Sequence, residues 1–450
     1  MTKSNRLVAI TPKLCLTALL AIGAVNIVLA QDGHGGGKDD DDHGGRRDKD
    51  KVLYIWAQDQ AHVAPDFLAV IDFNEESSQY GKVIKTVPLP PPGNIGNEPH
   101  HCHLNSTKTI MGCGGLLSLL KGQNGIFFFD VTAAKNPRFL FSTKAVESSI
   151  TDDFLPIENG GFLITQMGAA DGTAPGRVAE FDGRMHFVAN HFGPMSMFQE
   201  WPERPPLDGF NPHGISSRPD LNLMMTSDFI LPSSTLAGSP GPILRGSVRI
   251  WDYHARKITK TILLNSPDGG PALGTMDVKM LPKDPHGYGY AAGMFDGHIY
   301  LIDPIAGTGM AAFDCDTVTP HVDTPVIGGM GQILATPQSG DRLIFGLFMA
   351  GQVGMLDTTD RANLKQLSVV SFGKDTGPHN LVLSSDDNRL VVSDYFLNED
   401  DAGIIHFEGD HKIHVLKVTH DTLSEDTRFK LDFNTAFETG PARPHGIAMK

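Results

Sequence analysis

Several histidines of this chain directly follow a proline, and four of them lie in short stretches that are similar to one another. The stretches read EPHHCH at 98–103, NPHGI at 211–215, GPHNL at 377–381 and RPHGI at 443–447. Imidazole nitrogens bind divalent ions of the copper, iron and zinc group well. If the fold brings the four stretches together, their histidines can hold one metal ion. These histidines are His100, His213, His379 and His445.

The elements that must position these histidines are short strands, which recur along the chain. Apolar runs rich in β-branched or aromatic residues follow a glycine or a turn, as strands do. Most end in Asp, as LAVID does at Asp72, VRIWD at Asp252 and VGMLD at Asp357. Between consecutive runs lie a strand, a turn and a second strand, as in PHGISSRPDLNLMMTSDF at 212–229. Seven such units of about four strands predict an all-β fold, a seven-bladed β-propeller.

The two ends of the chain complete the ring in this interpretation. The last seven residues, PHGIAMK, repeat the first strand of a unit but have no hairpin after them. The early strands VLYIWAQD and DFLAVID can supply that hairpin. One blade is then shared by both termini, which removes exposed strand edges. We therefore predict a single propeller domain over 51–450, with residues near 445–450 paired beside residues near 52–58.

Alignment of the units places the four histidines at one position, the start of the innermost strand of a blade. Asp152 occupies this position in the third unit and Gln332 in the sixth, whereas the fifth unit is ambiguous between Met276 and Asp277. Innermost strands run along the central channel, so side chains at their equivalent ends converge on one axis. We therefore predict one metal ion held by the four histidines. The alternative is that Pro-His recurs only because both residues suit a turn at this position of the repeat, without any role in metal binding.

Residues beside the first histidine raise further expectations. His101 is a candidate further ligand or proton shuttle, and Asp152 is a candidate catalytic acid or base within the channel mouth. His103 is expected to be structural. The side chain of Cys102 should alternate to the other face of the strand and remain a buried, inert thiol. Cys113 and Cys315 carry no functional signal.

The amino-terminal residues predict export. A basic start and a mostly apolar core indicate a secretory signal peptide over 1–30, with cleavage after Ala30. No later segment approaches the roughly 20 apolar residues that span a bilayer. Residues 31–50 contain no apolar residue except glycine and predict a disordered tail. We expect a periplasmic or secreted protein. Its three remaining cysteines leave at least one thiol outside any disulfide.

Three longer segments resemble the family of selenium-binding proteins and methanethiol oxidases. They are LAVIDFNEESSQYGKVIKTVPLP at 68–90, GNEPHHCHLN at 96–105 and GSVRIWDYHARKITKTILL at 246–264. The resemblance implies a seven-bladed propeller and, for exported bacterial members, a copper-dependent oxidation of methanethiol. It carries over His100, His101 and His445 as candidate ligands. His213 and His379 rest on the repeat alone, and the family's Cys-Ser-Ser-Cys is replaced by STKTIMGC at 106–113.

Three functions follow as hypotheses. The first is an exported, copper-dependent oxidase of a small thiol or related reduced molecule. The second is an iron-dependent oxygenase with four histidine ligands on a propeller, and the third is a non-enzymatic propeller that binds a metal or a partner. We expect a small-molecule substrate. The formal net charge of −15 argues against nucleic acid, because phosphate binding needs a basic surface.

Overall fold

Antiparallel strands joined by turns and loops make up most of the protein in the computed structural model. It describes residues 49–192, 209–235, 241–267, 269–318, 331–373, 376–394, 396–399 and 405–450. The part from Arg46 to Lys450 forms one compact unit. The predicted signal peptide and nearly all of the predicted tail lie outside the described residues. Within the described residues, no helix is long and apolar enough to cross a membrane.

The described strands form seven blades and one separate two-stranded hairpin. Each blade is built from strands in chain order with the first strand innermost, apart from the blade that both termini share. Blade 1 takes three strands from the amino terminus, β1 (Val52–Asp59), β2 (Phe67–Asp72) and β3 (Val83–Pro88). Blade 2 contains β4 (Pro99–Leu104), β5 (Ile110–Gly115), β6 (Ile126–Asp130) and β7 (Arg138–Thr143). Blade 3 contains β8 (Ser148–Pro156), β9 (Phe162–Ala169), β10 (Arg177–Phe181) and β11 (Phe187–His191). Blade 4 contains β12 (Pro212–Arg218), β13 (Leu223–Ile230), β14 (Leu244–Asp252) and β15 (Lys257–Leu263).

The remaining blades repeat the pattern. Blade 5 contains β16 (Thr275–Met280), β17 (Gly289–Gly293), β18 (His298–Asp303) and β19 (Thr308–Asp314). Blade 6 contains β20 (Gly331–Ala335), β21 (Arg342–Leu347), β22 (Gln352–Asp357) and β23 (Lys365–Ser371). Blade 7 begins with β24 (Pro378–Leu383) and β25 (Arg389–Asp394), and a separate hairpin follows, made of β26 (Phe396–Glu399) and β27 (Ile405–Glu408). Blade 7 then adds β28 (Lys412–Val418), β29 (Leu423–Glu425) and β30 (Leu431–Asp432). The last strand is β31 (Ala442–Met449).

Within the described residues, short 3-10 helices interrupt four connections. They span Ser118–Lys121, Pro219–Leu221, Pro232–Thr235 and Cys315–Thr317.

Both termini build blade 1, which confirms the predicted closure. Strand β31 pairs with β1 in an antiparallel register that runs from Leu53 opposite Met449 to Asp59 opposite Ala442. The Asp50 carboxylate, which the sequence assigns to the tail, is 4% exposed. It accepts a hydrogen bond of 2.6 Å from the backbone N–H of Ser385 in blade 7. Asp50 therefore packs against blade 7.

Strand β1 shows why these sequences form propeller blades. All eight of its residues are buried, since neighbouring blades cover both faces. Leu53 and Ile55 pack with residues of blade 7, whereas Tyr54 and Trp56 pack with residues of blade 2. Alternate side chains of a strand point to opposite faces, so an almost continuous apolar run suits a sheet that is covered on both sides.

Removal of the last eight residues, Arg443–Lys450, should sharply destabilise the propeller. The strand that closes the ring is lost, and the burial of Ile447 and Met449 alone contributes about 3–6 kcal/mol. Urea unfolding should therefore show a clear drop in the free energy of unfolding. The control is His445→Ala, which removes an imidazole and leaves the strand in place. A truncated protein as stable as the full chain would contradict closure by β31.

Candidate metal centre

Every innermost strand contains a β-bulge, at the position that the repeat assigns to histidine. In β4 the pairing with β5 jumps from Pro99 to Cys102, which leaves one extra residue on β4. The innermost strands of the other six blades show the same irregularity. A bulge turns a side chain out of the ordinary alternation of a strand. Consecutive residues can therefore both face the axis.

His100 and His101 are the clearest consequence of the bulge. Their rings stack with centroids 4.3 Å apart and an angle of 25° between planes, although the two residues are neighbours in one strand. Regular alternation would place them on opposite faces. The loop before them is held by Asp66, whose carboxylate accepts hydrogen bonds from the backbone N–H and the side-chain amide of Asn97 at 2.8 and 2.9 Å.

Four buried imidazoles converge on the axis. Each offers one ring nitrogen, and these four nitrogens lie within 4.8 Å of one another. The Nε2 atoms of His101 and His379 are 3.2 Å apart. That separation is close to what two ligands at about 2.0–2.1 Å from one tetrahedral ion require. The four residues are His100, His101, His379 and His445.

The carboxylate of Asp152 lies among three of the imidazoles and is fully buried. Its Oδ2 is 3.1 Å from Nε2 of His100 and 3.2 Å from Nε2 of His213. Its Oδ1 is 3.3 Å from Nδ1 of His101. His100, Asp152 and His213 also meet the geometry of a group that could hold a metal ion. Two overlapping ligand sets therefore share His100.

The five histidines and Asp152 that the sequence singled out thus meet at one place, but in another grouping. His101 completes the set of four imidazoles, whereas His213 joins His100 through Asp152. The bulge explains the difference, because strand alternation alone would turn His101 away. In blade 5 the extra residue is Met276, which resolves the ambiguity with Asp277. Gln332 lies in β20, and its side chain is outside the described part of the chain.

The expectation of an inert Cys102 thiol was wrong. Cys102 forms a disulfide with Cys113, directly opposite on β5, with 4.2 Å between the Cα atoms. The bulge that precedes Cys102 sets this register. Cys315 is buried and free. His103 lies within reach of Asp153, with 3.2 Å between its Nε2 and the Asp153 Oδ1.

Burial sets the charge of the imidazoles. Desolvation lowers the pKa of His100 and holds the pKa values of His379 and His445 well below the usual range. It also lowers the pKa of His213 to about 4. These rings are therefore neutral at neutral pH, which is the form that binds metals.

Asp152 and His101 behave differently from the other groups. Burial would raise the pKa of Asp152, but the facing His213 and His100 and hydrogen bonds from His100 and His101 hold it well below the usual range. Burial would lower the pKa of His101, but Asp152, Asp153 and Asp277 raise it. Asp152 thus favours the protonated form of His101 more than that of the other four imidazoles.

A cavity of about 250 Å³ lies above His100, Asp152, His213 and His379 on one side of the cluster. Leucine, isoleucine, methionine and phenylalanine form most of its walls. Five of them stand at or near the end of the second strand in consecutive blades, where the sequence patterns had suggested no function. They are Leu116, Met167, Ile230, Met294 and Phe348. The sequence signal was an apolar residue at one equivalent position of the repeat in blades 2–6. In blades 7 and 1 this position holds Asp394, at the end of β25, and Asp59, at the end of β1.

A second cavity of about 200 Å³ borders His101 and His213 and includes residues farther along the innermost strands. Its charged groups are Asp153, Asp277 and Lys279, with the Lys279 Nζ 3.2 Å from the Asp277 Oδ1. The centre therefore lies between an apolar cavity and a charged one.

No protein-family model matches the chain. It is 26% identical over 222 residues to methanethiol oxidase of Homo sapiens, and the matched region covers 45% of this chain and 43% of the relative. It is 24% identical over 218 residues to selenium-binding protein 2 of Mus musculus, which covers 44% and 43%. The matched region thus spans less than half of either curated relative.

A solved structure covers much more of the chain. The selenium-binding protein of Sulfolobus tokodaii aligns with a TM-score of 0.71 over 90% of this chain and 94% of its own, at 16% identity. The chain therefore resembles the selenium-binding proteins and methanethiol oxidases, which confirms the resemblance in the sequence. The structural likeness establishes the propeller fold.

The disulfide can be counted directly. In the chain that begins at Gln31, denatured without reductant, one thiol should react with a thiol reagent, and three should react after reduction. Cys113→Ser should raise the count before reduction to two, since Cys102 then loses its partner. Three reactive thiols in the unreduced wild-type chain would exclude the pairing.

The loop that positions His100 should show a distinct pH dependence of stability. Burial raises the pKa of Asp66 to about 6, against hydrogen bonds from Asn97 and Gly96 that lower it. A raised pKa in the folded state means that stability is gained as pH falls through about 6 and is fully present below the unfolded value. The free energy of unfolding of the wild type, relative to Asp66→Asn, should thus rise by about 2–3 kcal/mol between pH 7.5 and 4. A constant difference in urea unfolding would contradict this environment for Asp66.

Proposed function

We propose that the protein is an exported, metal-dependent oxidase of a small thiol or a related reduced molecule, with copper as the metal and oxygen as the acceptor. The observation that carries the proposal is the convergence of four buried imidazole nitrogens within 4.8 Å beside an open cavity. The similarity to methanethiol oxidase supports the substrate class. The amino-terminal stretch and the disulfide support export, because disulfides persist mainly in oxidising compartments.

The donor set fits a borderline transition metal. Imidazole suits copper, iron and zinc, and hard ions such as magnesium and calcium prefer oxygen ligands. The lowered pKa values of His100, His379 and His445 leave one ring nitrogen of each unprotonated and able to bind a metal at neutral pH. The four ligands come from β31, β4 and β24, so adjacent blades 7, 1 and 2 would hold the ion together.

A bound copper ion would supply a one-electron acceptor and a binding position for sulfur. The chain's own groups would orient the ligands. Asp152 is ionised and lies 3.3 Å from the Nδ1 atom of His101, so it can hold the ring proton on Nδ1 and leave Nε2 available to the ion. The apolar walls of the cavity would keep water from the reacting end of the substrate.

A second function has its own support. His100, His213 and Asp152 supply two imidazoles and one carboxylate, the ligand type of many non-haem iron oxygenases. Under this alternative the ion would sit toward blades 3 and 4, and the protein would be an iron oxygenase. A protein that binds metal without turnover is the third outcome.

Elemental analysis of protein purified from the periplasm without added metal tests the proposal, together with oxygen uptake in the presence of methanethiol. About one copper per chain and thiol-dependent oxygen uptake are expected. Bound iron, together with oxygen uptake that does not depend on the thiol, would favour the oxygenase. Metal without oxygen uptake on any thiol would exclude an oxidase of thiols.

Two histidine variants separate the ligand sets. His445→Ala removes a member of the four-imidazole set and should weaken copper binding by more than about 100-fold. His213→Ala removes a residue that acts through Asp152 and should weaken copper binding by about 10–100-fold. Residues that orient a metal ligand without contacting the metal have effects of this size. His186→Ala, with a side chain that is 71% exposed, is the control. Circular dichroism should stay unchanged in all three, and the opposite order of the first two would favour the set with Asp152.

A further inference from the structure

The cavity above the imidazoles has a consistent construction around the ring. Its floor is polar, with His100, Asp152, His213 and His379. Most of its walls come from the ends of second strands and the loops after them in blades 2–6, and Ile150 and Met276 of the innermost strands β8 and β16 complete them. Among the described residues that line the walls, the only polar side chains are those of Ser233 and Thr235. A ligand seated here would meet polar atoms at one end and apolar atoms around the rest of its body.

The cavity is large for a one-carbon thiol. Its volume is about 250 Å³. An apolar protein cavity of about 150 Å³ accommodates benzene. Methanethiol has two non-hydrogen atoms and would leave most of the space without contacts. The volume fits an apolar body of about six to ten carbon atoms instead.

The wall side chains suit such a body. Met167, Met276 and Met294 are flexible and polarizable, so they adapt to ligands of irregular shape. The rings of Phe229 and Phe295 stack with centroids 6.1 Å apart and an angle of 8° between planes. The partly exposed Leu117 and the exposed Leu120 extend the apolar lining. None of the described wall residues has a charged side chain that could bind a polar tail of the ligand.

We propose that the substrate is a thiol with an apolar body of about six to ten carbon atoms, seated in this cavity with its sulfur toward His100 and His379. The proposal rests on the proposed function for the reacting sulfur, but the preference for the apolar body follows from the walls alone. The charged cavity beside Asp153, Asp277 and Lys279 cannot take this body without desolvating those groups.

The test is the affinity of straight-chain thiols from one to twelve carbons, measured without oxygen by calorimetry, with the matching alcohols as a series that lacks sulfur. The dissociation constant should fall about fourfold with each added methylene group. It should stop falling near eight to ten carbons, when the cavity is full. Equal affinity for methanethiol and hexanethiol would overturn the proposal.

Two variants place the binding in this cavity. Met294→Trp fills part of it and should end the gain in affinity several carbons earlier. Leu117→Trp, at a partly exposed site, is a second filling variant that is easier for the fold to accept. Met310→Trp, which is 52% exposed on β19, is the matched control. If both filling variants fold and bind long chains like the wild type, the cavity is not the site.

The outcomes separate this inference from the proposed function. A clear dependence on chain length in both series, without thiol oxidation, would remove the oxidase and keep an apolar-ligand site. Oxidation of methanethiol with affinities that do not depend on chain length would keep the oxidase and overturn the larger substrate.

Discussion

The extra residue in each innermost strand is the constraint on which the centre depends. A regular strand would send successive side chains to opposite faces, and no blade could offer two residues to the axis. The bulge in β4 brings both His100 and His101 there, and the bulges in β24 and β31 bring one imidazole each. The same irregularity in β8 places Asp152 among them. Because each bulge is held by its neighbouring strand, the propeller fixes the positions of these groups before any metal binds.

Closure of the ring and assembly of the centre are one event in this fold. His445 lies on β31, the strand that completes blade 1, and its neighbours in the set come from blades 2 and 7. A metal held by this set would bind the closed ring only, so binding would stabilise the folded state. The five imidazoles are buried, with the carboxylate of Asp152 beside them. This carboxylate raises the pKa of His101 and so favours its protonated form. Binding of a divalent ion would replace that proton.

The sequence predicted the fold and the residues of the site because both follow from repetition. Runs such as LAVID and VRIWD mark one strand in each blade, and the Pro-His stretches mark another, so their register identified His213 and His379 without any relative. Three features did not follow from repetition. The bulges depend on backbone pairing, so the repeat did not place His101 among the four equivalent histidines and it was predicted only as a further candidate ligand, and the pairing of Cys102 with Cys113 was missed. The apolar cavity depends on residues such as Met294 and Phe348, whose types are ordinary for a core and gain meaning only when five blades place them around one axis.

We propose that the imidazoles of blades 7, 1 and 2 hold the metal. The decisive measurement is a crystal structure of the protein with its native metal, with anomalous scattering recorded at the metal edge. One peak is expected on the propeller axis, with nitrogens of His100, His101, His379 and His445 at about 2.0–2.2 Å. A peak ligated by Asp152 and His213 without His379 and His445, or a peak away from the axis, would contradict it.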